Sequence, residues 1–210
     1  MQALIEQIKE IQKTEVKKRI EQRLSEFAAF QRNNTAEQWF SELCFCLLTA
    51  NAKSKTACAV QKELGYTGFA TASMETLVST IKKNKHRFHN TKAKYIYAVR
   101  SQKNIRERMH SFSTPIAARE WLVENIKGYG YKEASHFLRN VGFFDVAILD
   151  RHVLNHLHEH KILKKIPTSL NRNNYLEIEN KMKSLCTALQ MSQGELDMYL
   201  WHMKAGDVLK

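Results

Sequence analysis

Apolar residues recur along most of the chain at intervals of three or four positions, the spacing that places them on one face of an α-helix. This spacing is nearly continuous from Leu4 to Phe27, and the polar stretch RNNT at 32–35 then interrupts it. Apolar and polar residues nowhere alternate over more than four positions, so the pattern indicates no strand. It predicts an all-α protein of about ten to twelve helices.

Residues that are typical of helix starts divide this pattern. Thr35 with Gln38 resembles a capping box, in which side chains and backbone of the first turn bond to each other. Thr114 followed by Pro115 is a further start signal, because proline fits the first helical turn. Other helix starts are predicted at Ser73, Asp150, Asn173 or Asn174, and Ser192.

Two further segments carry helix predictions with defined ends. Ser54 is predicted to cap a short helix that ends at Gly65, since glycine often ends helices. Asn90 is predicted to precede one long basic helix that reaches about His110. The segment 82–108 contains ten Lys or Arg and a single acidic residue. This density suits a DNA-facing helix and loop, although a solvated helix surface can have the same composition.

The overall charge narrows the classes of partner. Lys and Arg number 33 and Asp and Glu 21, which gives a net charge of +12. This excess favours nucleic acid over a membrane as partner, and the alternative is that it serves solubility alone. No apolar run approaches the roughly 18 residues that cross a bilayer, and the charged N-terminal segment does not resemble a signal peptide. The four cysteines form no CxxC pair, which favours reduced thiols in a cytoplasmic protein.

The stretch IKGYGYKEASHFLRNVGFFDVAILDRHVL, at 126–154, contains the candidate chemistry. Its glycines at 128 and 130 stand between two predicted helices, as in a helix-hairpin-helix. Gly128 and Gly130 can take positive φ and leave backbone N–H groups uncovered beside a helix N-terminus, a combination that binds phosphate. The alternative is that the glycines only turn the chain.

Lys132 and Asp150 are the candidate catalytic pair in this stretch. Lys132 lies in the first turn of the second helix, where the helix dipole disfavours a positive charge and so favours the neutral, nucleophilic amine. Asp150 follows an apolar strip 18 positions later and caps the next helix. A cap that also faces a cleft can stabilise positive charge on a substrate. The alternatives are a solvated surface lysine and a plain helix cap.

Gly128-Tyr129-Gly130, Lys132, and Asp150 within ILDRHV together resemble the signature of helix-hairpin-helix DNA glycosylases. A lysine at this position implies a bifunctional glycosylase/AP lyase. The whole chain is most similar to the compact type-2 8-oxoguanine DNA glycosylases, in its size, in lacking an N-terminal β domain and in its ending WHMKAGDVLK. No four-cysteine motif follows the last helix, so an iron–sulfur cluster is not expected. No cofactor is predicted.

The resemblance also implies an architecture. It predicts a two-lobed, all-α, helix-hairpin-helix glycosylase with the active site in the cleft between the lobes. Residues 1–210 would form a single glycosylase unit, with one lobe at about 45–135 that ends in the hairpin. The second lobe would combine 1–44 with 136–210. The protein is expected to act as a cytoplasmic monomer that associates with the nucleoid through DNA and not with a membrane.

The implied activity is DNA repair on double-stranded DNA that contains oxidised guanine. The enzyme would flip 8-oxoguanine into a pocket and excise it, with Lys132 attacking the deoxyribose to form a Schiff base. Asp150 would stabilise the cation-like sugar. The abasic strand would then be nicked by β-elimination.

The resemblance further implies residues for base recognition. The C-terminal lysine, here Lys210 with its carboxylate, would distinguish 8-oxoguanine from guanine, unless it belongs to a frayed terminus. Phe88 and Trp201 would sandwich the flipped base, although Trp201 suits the core equally well. Asp197 would accept from the base edge or only pair with a lysine. Arg87, which belongs to the basic segment 82–108, is a candidate DNA-binding residue that would fill the vacated base stack.

Two readings compete with this function. One is a glycosylase for a different damaged base, and the other is a non-catalytic helix-hairpin-helix DNA-binding protein. His152, His156 and His160 recur at the four-residue spacing that zinc ligands use on a helix. No other ligand type or HExxH pattern accompanies them, so no metal site is predicted.

Overall fold

The computed structural model describes residues 1–208 and 210. Over these residues the chain forms twelve α-helices, one 3-10 turn at Val99–Gln102 and no β-strand. The helices are α1 (Gln2–Ile11), α2 (Glu15–Asn33), α3 (Ala36–Thr49), α4 (Ser54–Thr71), α5 (Met74–Lys83), α6 (His89–Ala98), α7 (Ile105–His110), α8 (Pro115–Asn125), α9 (Tyr131–Asn140), α10 (Arg151–Glu159), α11 (Arg172–Leu189) and α12 (Gln193–Ala205).

Most of the predicted helix starts are confirmed with their capping bonds. The Thr35 hydroxyl accepts from the Gln38 backbone, and the Gln38 side chain accepts from the Thr35 backbone, which completes the capping box of α3. Side chains also cap α5, α8, α10 and α12, at Ser73, Thr114, Asp150 and Ser192 respectively.

The prediction that Ser54 caps a helix ending at Gly65 is wrong at both ends. Helix α4 begins after Lys53, which makes no side-chain cap, and the Ser54 hydroxyl instead donates to the Lys210 main-chain oxygen at 3.1 Å. Gly65 does leave the helical conformation, with φ of +58° and ψ of −168°. The chain resumes the helix beyond it as far as Thr71, so this glycine forms a kink.

The single long basic helix predicted after Asn90 is also wrong. Helix α6 begins at His89, and the 3-10 turn separates it from α7. The Arg100 side chain turns inward at this break and donates to the Phe69 and Ala72 main-chain oxygens at 2.8 and 2.6 Å. These bonds join the break to the end of α4. Helix α11 likewise starts two residues early, because Asn171 caps it.

The buried apolar side chains form two clusters. The first extends from Trp39 to Val146 and takes in α3 to α9. The second combines Leu4 to Phe27 with Ala147 to Val208, and so joins α1 and α2 to α10, α11 and α12. These limits differ from the predicted lobe boundaries at 45 and 135. Boundaries there would cut α3 and α9, and both halves of each helix bury side chains in the first cluster.

Candidate active site

The hairpin lies between the end of α8 and the start of α9. Gly128 has φ of +97°, and a Cβ at this position would overlap the Tyr95 ring of α6. Both features require glycine here. Gly130 differs from the expectation, since its φ is −107° and its N–H donates to Glu133 Oε2 at 3.2 Å. Only Gly128 therefore uses the conformational freedom expected of both glycines.

Lys132 is the second residue of α9, directly after the hairpin. Its side chain is 25% exposed, and its Nζ lies 3.4 Å from Glu133 Oε1. The two carboxylate oxygens of Glu133 thus have separate partners, one being the Gly130 backbone and the other the Lys132 amine. The amine is partly sheltered and still reachable from solvent, as a nucleophile requires.

Asp150 caps α10 as predicted. Its Oδ1 accepts from the backbone N–H groups of His152 and Val153, each at 2.8 Å. Within the described part of the chain its Oδ2 has no hydrogen-bond partner. One oxygen therefore fixes the carboxylate on the helix, and the other remains available to a ligand. Lys132 and Asp150 do not form a direct ion pair.

The extended segment before Asp150 is held by two side chains of α11. The Tyr175 hydroxyl donates to the Ala147 carbonyl at 2.7 Å and accepts from the Leu149 N–H at 3.2 Å. Glu179 Oε1 accepts from the Ala147 N–H at 2.8 Å. Burial of this backbone costs little, because its polar groups are paired. These bonds fix the position at which Asp150 begins its helix.

Asp197 is a buried carboxyl near both predicted catalytic side chains. Its Oδ2 is 2.6 Å from an Arg139 guanidinium nitrogen, so its partner is an arginine and not the lysine considered from the sequence. Burial raises the pKa of Asp197 to about 7, Asp150 adds to the rise, and Arg139 and Lys132 oppose it. The charges of Lys132 and Asp150 thus act on this carboxyl with opposite signs.

Phe88 and Arg87 stand together at the start of α6. Phe88 is 37% exposed, and the Arg87 guanidinium carbon lies 4.5 Å from the centre of its ring. Trp201, on α12, is partly exposed and is not a member of the second cluster. Phe88 is thus exposed and Trp201 partly exposed, and the stacking of a flipped base on these two rings stays a prediction.

Lys210 docks onto the first cluster. Its Nζ donates to Glu42 Oε2 at 2.7 Å and to Gln61 Oε1 at 2.8 Å, and it lies 4.1 Å from the centre of the Phe45 ring. Its main-chain oxygen accepts from Ser54. The contacts at both ends of the residue do not fit a frayed terminus.

Two residues beside the site were missed by sequence reasoning. His136 follows Lys132 by one helical turn and is buried, and this burial, with the charges of Arg139, Lys132 and Lys210, keeps its pKa well below the usual value. Lys92 is also buried, and burial lowers its pKa to about 8. The spacing from Lys132 could have indicated His136, whereas Lys92 is hidden among the basic residues that were assigned to the DNA-facing surface.

The histidines of α10 were considered as zinc ligands. His156 and His160 stack with ring centres 6.5 Å apart. Among residues 1–208 and 210 no group of three or more His, Cys, Asp or Glu is arranged to hold a metal ion. In that same part of the chain, no helix is both long enough and apolar enough to cross a membrane.

A family model described as 8-oxoguanine DNA glycosylase matches residues 20–191. The 8-oxoguanine DNA glycosylase/AP lyase of Methanocaldococcus jannaschii is 47% identical over 207 residues, which cover 99% of both chains. That of Thermotoga maritima is 37% identical over 211 residues, the full length of both chains.

Solved structures match equally well. The M. jannaschii 8-oxoguanine glycosylase/lyase, crystallised with a 15mer DNA containing 8-oxoguanine, superposes with a TM-score of 0.96 at 46% identity. The match covers 99% of this chain and 100% of that chain. The fold is thus that of an all-helical DNA glycosylase. The chain belongs to the 8-oxoguanine DNA glycosylase family, which confirms the predicted family and fold class.

Proposed function

We propose that this protein excises 8-oxoguanine from double-stranded DNA and nicks the resulting abasic strand. The observation that carries the proposal is the placement of Lys132, which lies partly sheltered directly after the hairpin, together with the fixed carboxylate of Asp150 at the start of α10. The names of its relatives, glycosylase and AP lyase, support both activities. The residues of the site all come from one chain, so a monomer suffices for the chemistry.

The hairpin and the basic surface would hold the DNA. Gly128 gives the corner its positive φ, and α9 presents its N-terminus directly beyond it, so phosphate oxygens are attracted there. The net charge of +12 favours the approach of a polyanion. The target nucleotide must leave the base stack, because its glycosidic bond cannot be reached inside the duplex. Arg87 is proposed to fill the vacated space.

Lys132 would supply the nucleophile. Its neutral amine forms a bond to C1′ of the deoxyribose while the glycosidic bond breaks, and the bonding electrons leave with the base, which takes up a proton. Loss of the amine proton and opening of the sugar ring give the Schiff base. Removal of a proton from C2′ then expels the 3′ phosphate, and the strand is cut.

Asp150 would act electrostatically during base release. Positive charge develops on the sugar as the glycosidic bond lengthens, and a fixed carboxylate lowers the energy of that state. The Asp150 Oδ1 is occupied by two backbone N–H groups, which aligns Oδ2 without further reorganisation. The free oxygen is therefore proposed to face the sugar.

Base recognition would use the surfaces of Phe88 and Trp201 for stacking and a main-chain oxygen of Lys210 as acceptor. 8-Oxoguanine carries a hydrogen on the nitrogen where guanine carries a lone pair, so an acceptor bonds the lesion and repels guanine. Such a mismatch costs about 1–3 kcal/mol. Asp197 is proposed to support the site through Arg139, because its carboxylate is already paired with that residue.

The first test is borohydride trapping on a duplex with one 8-oxoguanine. The parent protein should form a covalent adduct, and Lys132→Gln should form none, because borohydride reduces only the imine that the lysine makes. Lys183→Gln, which changes an exposed lysine of α11, serves as the matched control and should trap as the parent does. Full trapping by Lys132→Gln would show that another residue is the nucleophile, and no adduct with the parent would favour a DNA-binding module.

Asp150→Asn separates catalysis from folding and binding. Asparagine also caps helices well, so α10 should remain intact while the charge is lost. Single-turnover base release should slow by about 10²–10⁴-fold, and duplex affinity, measured by mobility shift, should change only slightly. Equal losses in release and affinity would argue against a role for the charge in the chemical step. A panel of duplexes with other damaged bases identifies the preferred lesion.

A further inference from the structure

Glu42 is a buried carboxylate that the proposed chemistry does not use. It lies on α3 and is 4% exposed. Its Oε1 accepts from Asn140 Nδ2 at 2.7 Å, and its Oε2 accepts from Lys210 Nζ at 2.7 Å and from Gln61 Nε2 at 3.2 Å. A buried carboxylate is costly unless it is paired and hydrogen-bonded. Of its three partners only Lys210 carries a charge, and that residue is 168 positions away in the sequence.

The side chains around the Lys210 amine form a binding site for its ammonium group. Gln61 uses both ends of its amide, since its Oε1 accepts from the amine and its Nε2 donates to Glu42. The Nε2 also donates to the Ser41 main-chain oxygen at 3.2 Å, which fixes the orientation of the amide. The ring of Phe45 lies on another side of the amine, at cation–π distance. An ammonium group therefore has charge, hydrogen-bond and aromatic partners in one place.

The same carboxylate is also connected to the helix of the nucleophile. Asn140 ends α9, and Lys132 stands at the beginning of that helix. Asn140 Oδ1 accepts from Arg139 at 3.1 and 2.9 Å, and Arg139 continues the chain of bonds to Asp197. Glu42 thus joins Lys210 to α9 through buried bonds. The charges of Lys132 and Lys210 both contribute to lowering the pKa of the buried His136 imidazole.

We propose that Glu42 is a positioning residue for lesion recognition, which holds Lys210 in place so that its main-chain oxygen faces the flipped base. This inference rests on the proposed role of Lys210. It assigns the discrimination between 8-oxoguanine and guanine partly to a residue that does not touch the base. Gln61 orients the same amine, and Asn140 fixes the other oxygen of the carboxylate.

The test compares two activities in one protein. Single-turnover removal of 8-oxoguanine and of guanine from matched duplexes reports base recognition, whereas strand cleavage at a preformed abasic site requires no base. Glu42→Gln should lower the ratio of 8-oxoguanine to guanine removal by about tenfold or more. Cleavage of the abasic duplex should stay within about threefold of the parent, because Lys132 is untouched. The exposed Glu177→Gln serves as the matched control and should change neither activity.

A double-mutant cycle decides whether Glu42 acts through Lys210. Lys210→Met removes the amine and retains the main-chain oxygen, so it should lower the ratio as Glu42→Gln does, and the double variant should lose little more than either single variant. Multiplied losses would show that the two residues act independently and would overturn the inference. A parallel loss of base removal and abasic-site cleavage in Glu42→Gln would assign Glu42 to folding alone.

Lys210→Met keeps the inference open to disproof even if Glu42→Gln fails to fold. An unchanged ratio in Lys210→Met would by itself overturn the inference. The failure of the proposed function is a separate outcome. A parent protein that neither removes 8-oxoguanine nor forms a Lys132-dependent adduct would refute the proposed function itself.

Discussion

Two buried arginine–carboxylate pairs support the two sides of the candidate site, and they are built differently. Arg119 and Glu179 are 0% and 2% exposed, and both guanidinium nitrogens bond the carboxylate, at 2.6 and 2.7 Å. Arg139 reaches Asp197 through a single nitrogen at 2.6 Å. Its other nitrogens bond Asn140, from which the bonds continue to Glu42. The first pair is bidentate, whereas the second is joined by one nitrogen and continues through Asn140 to a third acidic residue.

The difference in hydrogen bonding indicates that the two ion pairs have different roles. A bidentate pair fixes the relative orientation of the two groups, and the Ala147 N–H adds a further bond to Glu179. This pair holds the segment that leads to Asp150. At the second pair, burial outweighs the single arginine contact and raises the pKa of Asp197 to about 7. The second pair therefore responds to pH near neutrality, and it lies beside the residues proposed for base recognition.

The largest expected effect comes from breaking each pair in the same way. Arg119→Met should lower the free energy of unfolding by about 3–5 kcal/mol, because it leaves a buried carboxylate without its counter-charge. Arg139→Met should cost less, about 1–3 kcal/mol, since Asp197 can take up a proton near neutral pH and its neutral form needs no counter-charge.

Urea unfolding at pH 7 measures both variants. Arg172→Met is the control, because its ion pair with Glu120 involves a side chain that is 59% exposed and should contribute little. Equal costs for Arg119→Met and Arg139→Met would show that the bidentate pair and the pair joined by one nitrogen do not differ in the way described.

A smaller effect should appear in the pH dependence of stability. The pKa of Asp197 is raised from 3.8 to about 7, so between these values the folded protein binds more protons than the unfolded chain. The stability contributed by this group is fully present below pH 3.8 and is lost as pH rises through about 7. The slope can reach about 1.4 kcal/mol per pH unit. Asp197→Asn should remove this slope from a series of urea unfolding curves.

Asp207→Asn is the matched control for this experiment. A hydrogen bond from the Val208 N–H and another from Arg19 lower the pKa of Asp207, so its contribution has the opposite sign and is lost as pH falls. That loss lies below about pH 4, and the control should retain the parent slope between about pH 4 and pH 7. If the Asp197→Asn profile is as steep as that of the parent, a different group causes the pH dependence.

Local features of the fold could be predicted from the sequence, because both partners lie within one helical turn. Thr35 with Gln38, and Asp150 with the N–H groups that follow it, are of this kind. The predicted catalytic residues also belong to a short stretch of sequence. The glycines of the hairpin and the cap of the next helix can both be recognised in it. Lys132 was found because a glycine corner precedes it.

Contacts between distant residues could not be predicted in this way. Arg119 and Glu179 are 60 positions apart, and nothing local marks either as buried. Ser54 has the residue type of a cap, yet the docking of Lys210 provides it with another partner. Lysine is a residue type usually found on the surface. Lys92 is buried only because of the way α6 packs against its neighbours. Such outcomes depend on how helices meet, which spacing along one helix does not encode.

The contact between Tyr95 and Gly128 has a mechanical consequence. The tyrosine ring occupies the volume that any side chain at 128 would need, so the corner of the hairpin and α6 fit into each other. A phosphate bound at this corner, as proposed above, would therefore lie on a turn that is packed against a helix. In the proposed complex, the tyrosine ring would act as a spacer that keeps the distance between the bound phosphate and the Lys132 amine constant.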